Sequence, residues 1–491
     1  MCAEKITISD IKSAEKLLGI TYSKSEREQM VQNLEGQILS AKLRRGIELD
    51  NTTPMASKFD PRLPGFQMPS RSDIKLQKRD IKLPKNKEDI AFASIGEQGK
   101  WIKDGLLTSR KLTEIYLERI ESFESKLECF ATVTKDQALA EADAMDLLTS
   151  AKINLGPLHG IPYGLKDLFD TKGVRTGWGA EPYQNRVPVE DAEIVKRLRA
   201  AGAVILGKTT LGALAYNDIW YGGRTKNPWN LNEGSSGSSA GSASATAAAL
   251  CSFAIGTETL GSITSPSQRC GTTGLRPTFG RVSRQGGMAL CWSLDKIGPI
   301  CRSVEDTGIV LSTLNGYDEN DLSSIRAPFN FDTSKNIKDL VIGYLPEAFE
   351  DGATEVDRAA LKVAMSLGAK VKEVKLEDLP YMSLINILYA EAAAAFEHLT
   401  LSDEDDTLTW QDDGAWPNTF RKARFLSAVD HVQLDRLRYL VMKALDNLFS
   451  EIDILQVILA FTLGLVFRSS PHEVRHPWAK VNLALERLVR G

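Results

Sequence analysis

Paired cysteines are missing from this chain. Its six cysteines (Cys2, Cys129, Cys251, Cys270, Cys291 and Cys301) lie far apart, with no CxxC pair and no Cys/His cluster. That spacing argues against a zinc site and suits a reducing compartment, where isolated thiols act as small buried apolar side chains. An excess of either charge is missing too. Sixty basic residues stand against 64 acidic ones, for a net charge of -4, so composition points to neither nucleic acid nor an anionic membrane as partner. Long hydrophobic runs are also lacking. The most apolar stretch, 454–467 (ILQVILAFTLGLVF), contains Gln456 and Thr462. It is shorter than the ~18 residues of a spanning helix, so a buried core segment is expected. The first residues, MCAEKITISDIKSAEK, carry charges every few positions and offer no apolar core for a signal peptide. The expectation is a soluble, cytoplasmic protein, with no membrane and no nucleic-acid partner.

With 491 residues, 43% of them hydrophobic, the chain is long enough for one large domain with an appendage, or for two domains. Residues 8–45 read as helical, with Ser9 or Asp10 as a start cap and a second helix from Ser25, whose spacing to Glu28 is that of a capping box. Pro54, Pro61, Pro64 and Pro69 make 50–85 an extended connection. Residues 1–85 are therefore expected to be an N-terminal helical appendage with a linker, and 86–491 the catalytic domain. Past residue 88 the pattern alternates. Helices are expected at 109–123, 136–148, 192–201 and 355–367, and strands at 130–133, 204–206, 250–255 and 371–376. This alternation predicts an α/β fold with a central mixed, twisted sheet flanked by helices. The segment GSSGSSAGSASATAAA at 234–249 reads either as a flexible linker or as small residues at a close backbone approach to a ligand.

Hydrolysis of an amide needs a nucleophile, a base and donors for the oxyanion. Only five histidines are present, and no G-x-S-x-G elbow, so a histidine triad has little support. Lysine is the other candidate base. Lys166 follows an apolar run and a Gly-Ile-Pro turn in GPLHGIPYGLKDLFD. If carried inward it would lose its charge readily; if not, it is a surface lysine paired with Asp167.

Three segments decide between these readings: GIPYGLKD at 160–167, SGSSAGS at 236–242 and GTETLGSI at 256–263. They resemble, in order and spacing, the catalytic segments of the amidase signature family. AGAVILGKT at 201–209, Asn227-Pro228-Trp229-Asn230, CGTTGLRPTFGRVS at 270–283 and SLDKIGPICRSVED at 293–306 extend the resemblance. It implies the amidase-signature fold and a Ser-Ser-Lys triad. Ser262 would be the nucleophile. The bridging serine, on a cis peptide, would lie 24 residues earlier at Ser238, leaving Ser235 and Ser236 out of register. Lys166 would be the base, and backbone N–H groups of the turn Thr259, Leu260, Gly261 and Ser262 the oxyanion donors. No metal or organic cofactor is implied.

Departures from the family pattern are Glu258 for Asp, Leu260 for Gly and Thr264 for Arg; the last favours a neutral substrate. The tail 453–491 is atypical beyond Asp453-Ile454-Leu455, where a strand should start. The expected function is an amidohydrolase cleaving a carbon–nitrogen bond of a small-molecule amide through a serine acyl-enzyme, with esters, anilides and carbamates within reach. A homo-oligomer is left open. The alternatives are the glutaminase or transamidating A subunit of a tRNA-dependent amidotransferase, for which the long helical N-terminus is unusual, and an impaired family member acting as a binding protein.

Overall fold

Strand-like runs after residue 88 collect into one six-stranded sheet in a computed structural model that describes residues 6–76, 81–334, 336–350 and 353–457. Across the sheet the order is Thr273–Gly274, Lys296–Cys301, Phe253–Glu258, Pro162–Lys166, Val204–Thr209 and Phe130–Val133. Pro162–Lys166 pairs in parallel with both neighbours, while the outer pairings are antiparallel. The sheet is therefore mixed, as expected. Its central strand is buried throughout, which is why PYGLK shows no alternation of polar and apolar residues. Helix Ser109–Leu127 lays Leu112, Ile115, Tyr116 and Ile120 into the main core, with Glu193–Ala200 contributing Ile194, Val195 and Leu198.

Element boundaries differ from the sequence reading at a few informative places. The first helix starts at Ile8, as expected, and the second at Lys24, one residue early, but their caps lie further back than expected. Thr7 and Ser23 are the caps, each in a reciprocal box with Asp10 and Glu26. Ser25 and Glu28 repeat the Ser23–Glu26 spacing two residues further on, so sequence alone does not choose between these registers. The expected 250–255 strand is Phe253–Glu258. Ala249, at φ 50°, ends the preceding helix, and Leu250 N–H donates back to Ala245 C=O at 2.8 Å, which keeps Leu250 out of the ladder. The 371–376 strand is Lys370–Glu373, because its parallel partner Val341–Tyr344 ends there.

The Gly/Ser/Ala segment is no linker. It forms helix Ala240–Ala247, buried over 240–246 against the sheet. Its small residues permit close approach to the chain itself. A Cβ at Gly237 would sit 1.8 Å from Asn217 C=O, and one at Gly256 would sit 2.7 Å from Ser239 Oγ.

A smaller parallel sheet joins Lys370–Glu373, Val341–Tyr344 and Ile454–Gln456 around Leu345, Phe349, Val374 and Ile452. The strand expected from Asp453-Ile454-Leu455 is thus present. Residues 458–491, with most of the apolar run expected to be core, lie outside the described residues. The N-terminal segment returns to the rest of the chain at several points. Arg44 pairs with Glu397, Phe59 packs edge-on against Phe279, and Asp73–Lys75 pairs in parallel with Asn330–Asp332. No described helix is long and apolar enough to cross a membrane. Five of the cysteines are free and buried.

Candidate active site

Lys166 ends the central strand, and burial on both faces of the sheet carries its side chain to 0% exposure. Its ammonium donates to Thr257 Oγ1 at 2.7 Å, Ser238 Oγ at 2.8 Å and Ser239 Oγ at 3.1 Å. Burial holds its pKa well below that of an ordinary lysine, and the pull of Asp295 and Glu258 in the other direction is smaller. Asp167 is not its partner. That carboxylate sits 3.4 Å from the buried Lys208 and accepts from Gly177 N–H at 2.9 Å. The surface-lysine reading therefore fails.

Of the serines at 235–239, only Ser238 and Ser239 reach Lys166. Ser235 Oγ donates to Ser236 C=O, and Ser236 Oγ bonds Ser265 Oγ at 2.7 Å. The Gly237–Ser238 peptide is cis. Ser239 and Thr257 were missed by the sequence reading. Ser239 Oγ donates to Thr257 C=O and accepts from Thr257 N–H, while Ser239 N–H donates to Ser262 C=O at 3.0 Å. Ser239 thereby joins all three segments. No local signal marks it: its hydroxyl faces Gly256, on a strand further along the chain, whose missing side chain makes the room.

Ser262 stands between the sheet strand Phe253–Glu258 and helix Thr264–Cys270. Among the described residues no hydrogen bond joins its Oγ to Ser238 Oγ; the two segments meet through the Ser239–Ser262 backbone bond. Glu258, where aspartate was expected, braces the turn. Its Oε2 accepts from the N–H groups of Ile263 and Thr264, both at 2.9 Å, and its Oε1 accepts from Arg276 at 2.7 Å. Burial pushes this carboxyl up, but Arg276 and the two N–H groups outweigh it and hold the pKa below the usual range. Thr264 Oγ1 also donates to Glu258, at 3.1 Å. Position 264 thus belongs to the brace rather than to a cavity wall, and it carries no weight for substrate charge.

Thr259 is tied down by Asp295, which accepts from its Oγ1 at 2.6 Å, and by Lys296, which donates to its C=O at 3.0 Å. Neither Leu260 nor Gly261 has positive φ. The leucine is accommodated without left-handed backbone, and it packs on the main core. Among the described residues, no protein oxygen accepts from the N–H groups of Leu260, Gly261 or Ser262.

A cavity of about 640 Å³ opens on this turn through Thr257 and Thr259. Ser238 and Ser262 are not among its wall residues. The N-terminal segment lines part of it with Asn51, Pro54, Met55 and Phe59, and Met288, Trp292, Asp295 and Lys296 also line it. Among the described residues no histidine takes part. His159 Nε2 bonds Thr149 Oγ1, and His398 Nε2 bonds Tyr183 OH.

Comparison with known proteins agrees with this frame. The amidase family model matches residues 111–456. The A subunit of glutamyl-tRNA(Gln) amidotransferase from Geobacter sp. (strain M21) is 38% identical over 317 residues, covering 62% of this chain and 65% of that protein's own length. Among solved structures, one bearing on the origins of an s-triazine catabolic enzyme is 31% identical with a TM-score of 0.69, covering 74% of this chain and 80% of its own. The native peptide amidase from Stenotrophomonas maltophilia is 28% identical with a TM-score of 0.60, covering 70% of this chain and 77% of its own. With its mixed sheet, its three catalytic-type segments in order and a family match over most of its length, the chain belongs to the amidase family.

Proposed function

We propose that this protein hydrolyses a carbon–nitrogen amide bond through an acyl-enzyme on Ser262. The observation that carries the reading is the buried Lys166 ammonium on Ser238 Oγ at 2.8 Å, in a segment hydrogen-bonded to Ser262. Neutral Lys166 takes a proton from Ser238 while Ser238 takes one from Ser262, and Ser262 Oγ attacks the amide carbonyl. The N–H groups of Thr259, Leu260, Gly261 and Ser262 are the donors offered to the oxyanion, each typically worth about 2.7–4 kcal/mol. Ser238 then protonates the leaving amine. Water displaces the acyl group by the same relay. Every proton in this cycle is moved by the three side chains, so the reading asks for no cofactor.

Within that chemistry, the curated relatives favour an amidotransferase A-subunit role over a stand-alone amidase. The first of them carries that name, although the match spans only 65% of its length. On this reading the amide is glutamine's, the product is ammonia, and other chains complete the assembly. Glutamine-dependent ammonia release that depends on a co-purifying chain supports the amidotransferase role. Turnover of simple amides by the isolated chain supports the stand-alone enzyme.

Covalent labelling tests the shared mechanism. A fluorophosphonate is expected to modify Ser262, and Ser262→Ala to abolish both labelling and turnover. Lys166→Ala should be nearly as severe. Ser238→Ala should cost more than Ser236→Ala, since Ser236 bonds Ser265 rather than Lys166. Labelling at another residue, or full activity in a folded Ser238→Ala variant, defeats the relay.

A further inference from the structure

The basic side chains lining the cavity beside the Ser262 turn are not equivalent. Arg186 is held in a two-pronged pair with Asp170, at 2.7 and 2.8 Å. Arg284 donates to Trp292 C=O at 2.6 Å and to Ser323 Oγ at 2.9 Å, with Asp321 at 3.5 Å from its Nε. Lys296 differs from both. It is half-buried, and its ammonium makes one hydrogen bond, to Thr259 C=O. Among the described residues no carboxylate lies within 4.0 Å of it.

The nearby acids are engaged elsewhere. Both oxygens of Asp295 accept, one from Thr259 Oγ1 and the other from the N–H groups of Leu290 and Cys291. Glu258 is filled by Arg276 and the helix start. An ammonium has three donors, so two of those on Lys296 remain for a ligand in the cavity. A partly desolvated cation without a carboxylate partner is costly to keep unless something anionic completes it.

We propose that Lys296 is a specificity-determining residue that receives a carboxylate of the substrate, making the preferred substrate an amide that also carries an acid group. The inference rests on the Ser262 reading and names the substrate class for that site. Lys296 stands on the wall next to Thr259, so a carboxylate held there sits a short span from the turn offered to the reacting carbonyl. Burial, helped by Arg276, brings the lysine down to about 8 against the opposing pull of Glu258 and Asp295. The pull of those two acids favours the charged form that would meet a carboxylate.

Binding tests this independently of turnover. The full chain carrying Ser262→Ala is titrated calorimetrically with glutaramate and with the isosteric neutral amide in which an isopropyl group replaces the carboxylate. Glutaramate is expected to bind more tightly, by about tenfold or more. Adding Lys296→Gln, which keeps a donor for Thr259 C=O and drops the charge, should erase that preference; Lys296→Arg should retain much of it. Equal binding of the two amides, or equal weakening of both by Lys296→Gln, overturns the proposal. Because the readout is affinity, a fluorophosphonate that fails to label Ser262 defeats the hydrolase reading separately and leaves this result intact.

Discussion

Lys166 sets the behaviour of the site at the scale of single residues. A lysine base works only when neutral, and burial lowers its pKa far below the ordinary lysine value. The sign follows directly: below its folded pKa the group is protonated and cannot accept, so activity is lost as pH falls and gained as pH rises. A kcat/KM profile is expected to climb to a plateau with an apparent pKa well under the ~10.4 of free lysine. A flat profile across that range removes lysine from the base role. Ser239 and Thr257 act on the same side chain. Both accept from the Lys166 ammonium and so hold it in place. The triad candidates were legible from three segments and their spacing. Ser239 was not, because its task depends on a strand 18 residues further along the chain folding back against it.

At the scale of elements, a helix of small residues is wedged against the sheet. Helix Ala240–Ala247 buries Gly241, Ser242, Ala243 and Ser244. Ser242 Oγ donates to Ile255 C=O at 3.0 Å, and Ser239 Oγ sits over Gly256. The composition that resembled a linker is a close-packing surface, with the hydroxyls of Ser239, Ser242 and Ser244 each donating to a neighbouring C=O. Gly256→Ala would place a methyl group 2.7 Å from Ser239 Oγ. Overpacking of this kind typically costs about 1–3 kcal/mol. The expected result is a lower denaturation midpoint together with reduced kcat, because the displaced hydroxyl is one that holds Lys166. Loss of stability with unchanged kcat would show that Ser239 has no part in positioning the lysine.

For the whole molecule, the N-terminal segment is the feature that composition left undecided. Asn51 clamps the 289 backbone from both sides, donating to Ala289 C=O at 2.8 Å and accepting from Ala289 N–H at 2.7 Å. Phe59 lies against Phe279 and under Arg438, whose guanidinium is 4.3 Å from the ring centre. The segment thereby becomes one wall of the cavity rather than a free arm, while contributing no group to the Lys166 network. Asn51→Ala should raise KM for an extended amide severalfold with kcat changed much less, since each lost hydrogen bond is worth about 0.5–1.5 kcal/mol. Deleting 1–85 should act in the same direction and more strongly. A folded deletion variant with normal KM and no turnover would reverse this assignment.

Sequence alone determined the alternation of helix and strand and the mixed α/β architecture, and it singled out Lys166, Ser238 and Ser262. The architecture is written in local pattern, in buried runs and turn residues; the three side chains were singled out by the resemblance of short motifs and their spacing to the amidase signature. Tertiary structure decided what depends on distant segments meeting. It gave Asp167 to Lys208, Thr264 to the Glu258 brace, Asn51 to the cavity wall, and Lys296 a place beside Thr259 without a carboxylate of its own. A charged or polar side chain takes its role from whichever partner folding brings within about 3 Å, and neighbours along the chain do not specify that partner.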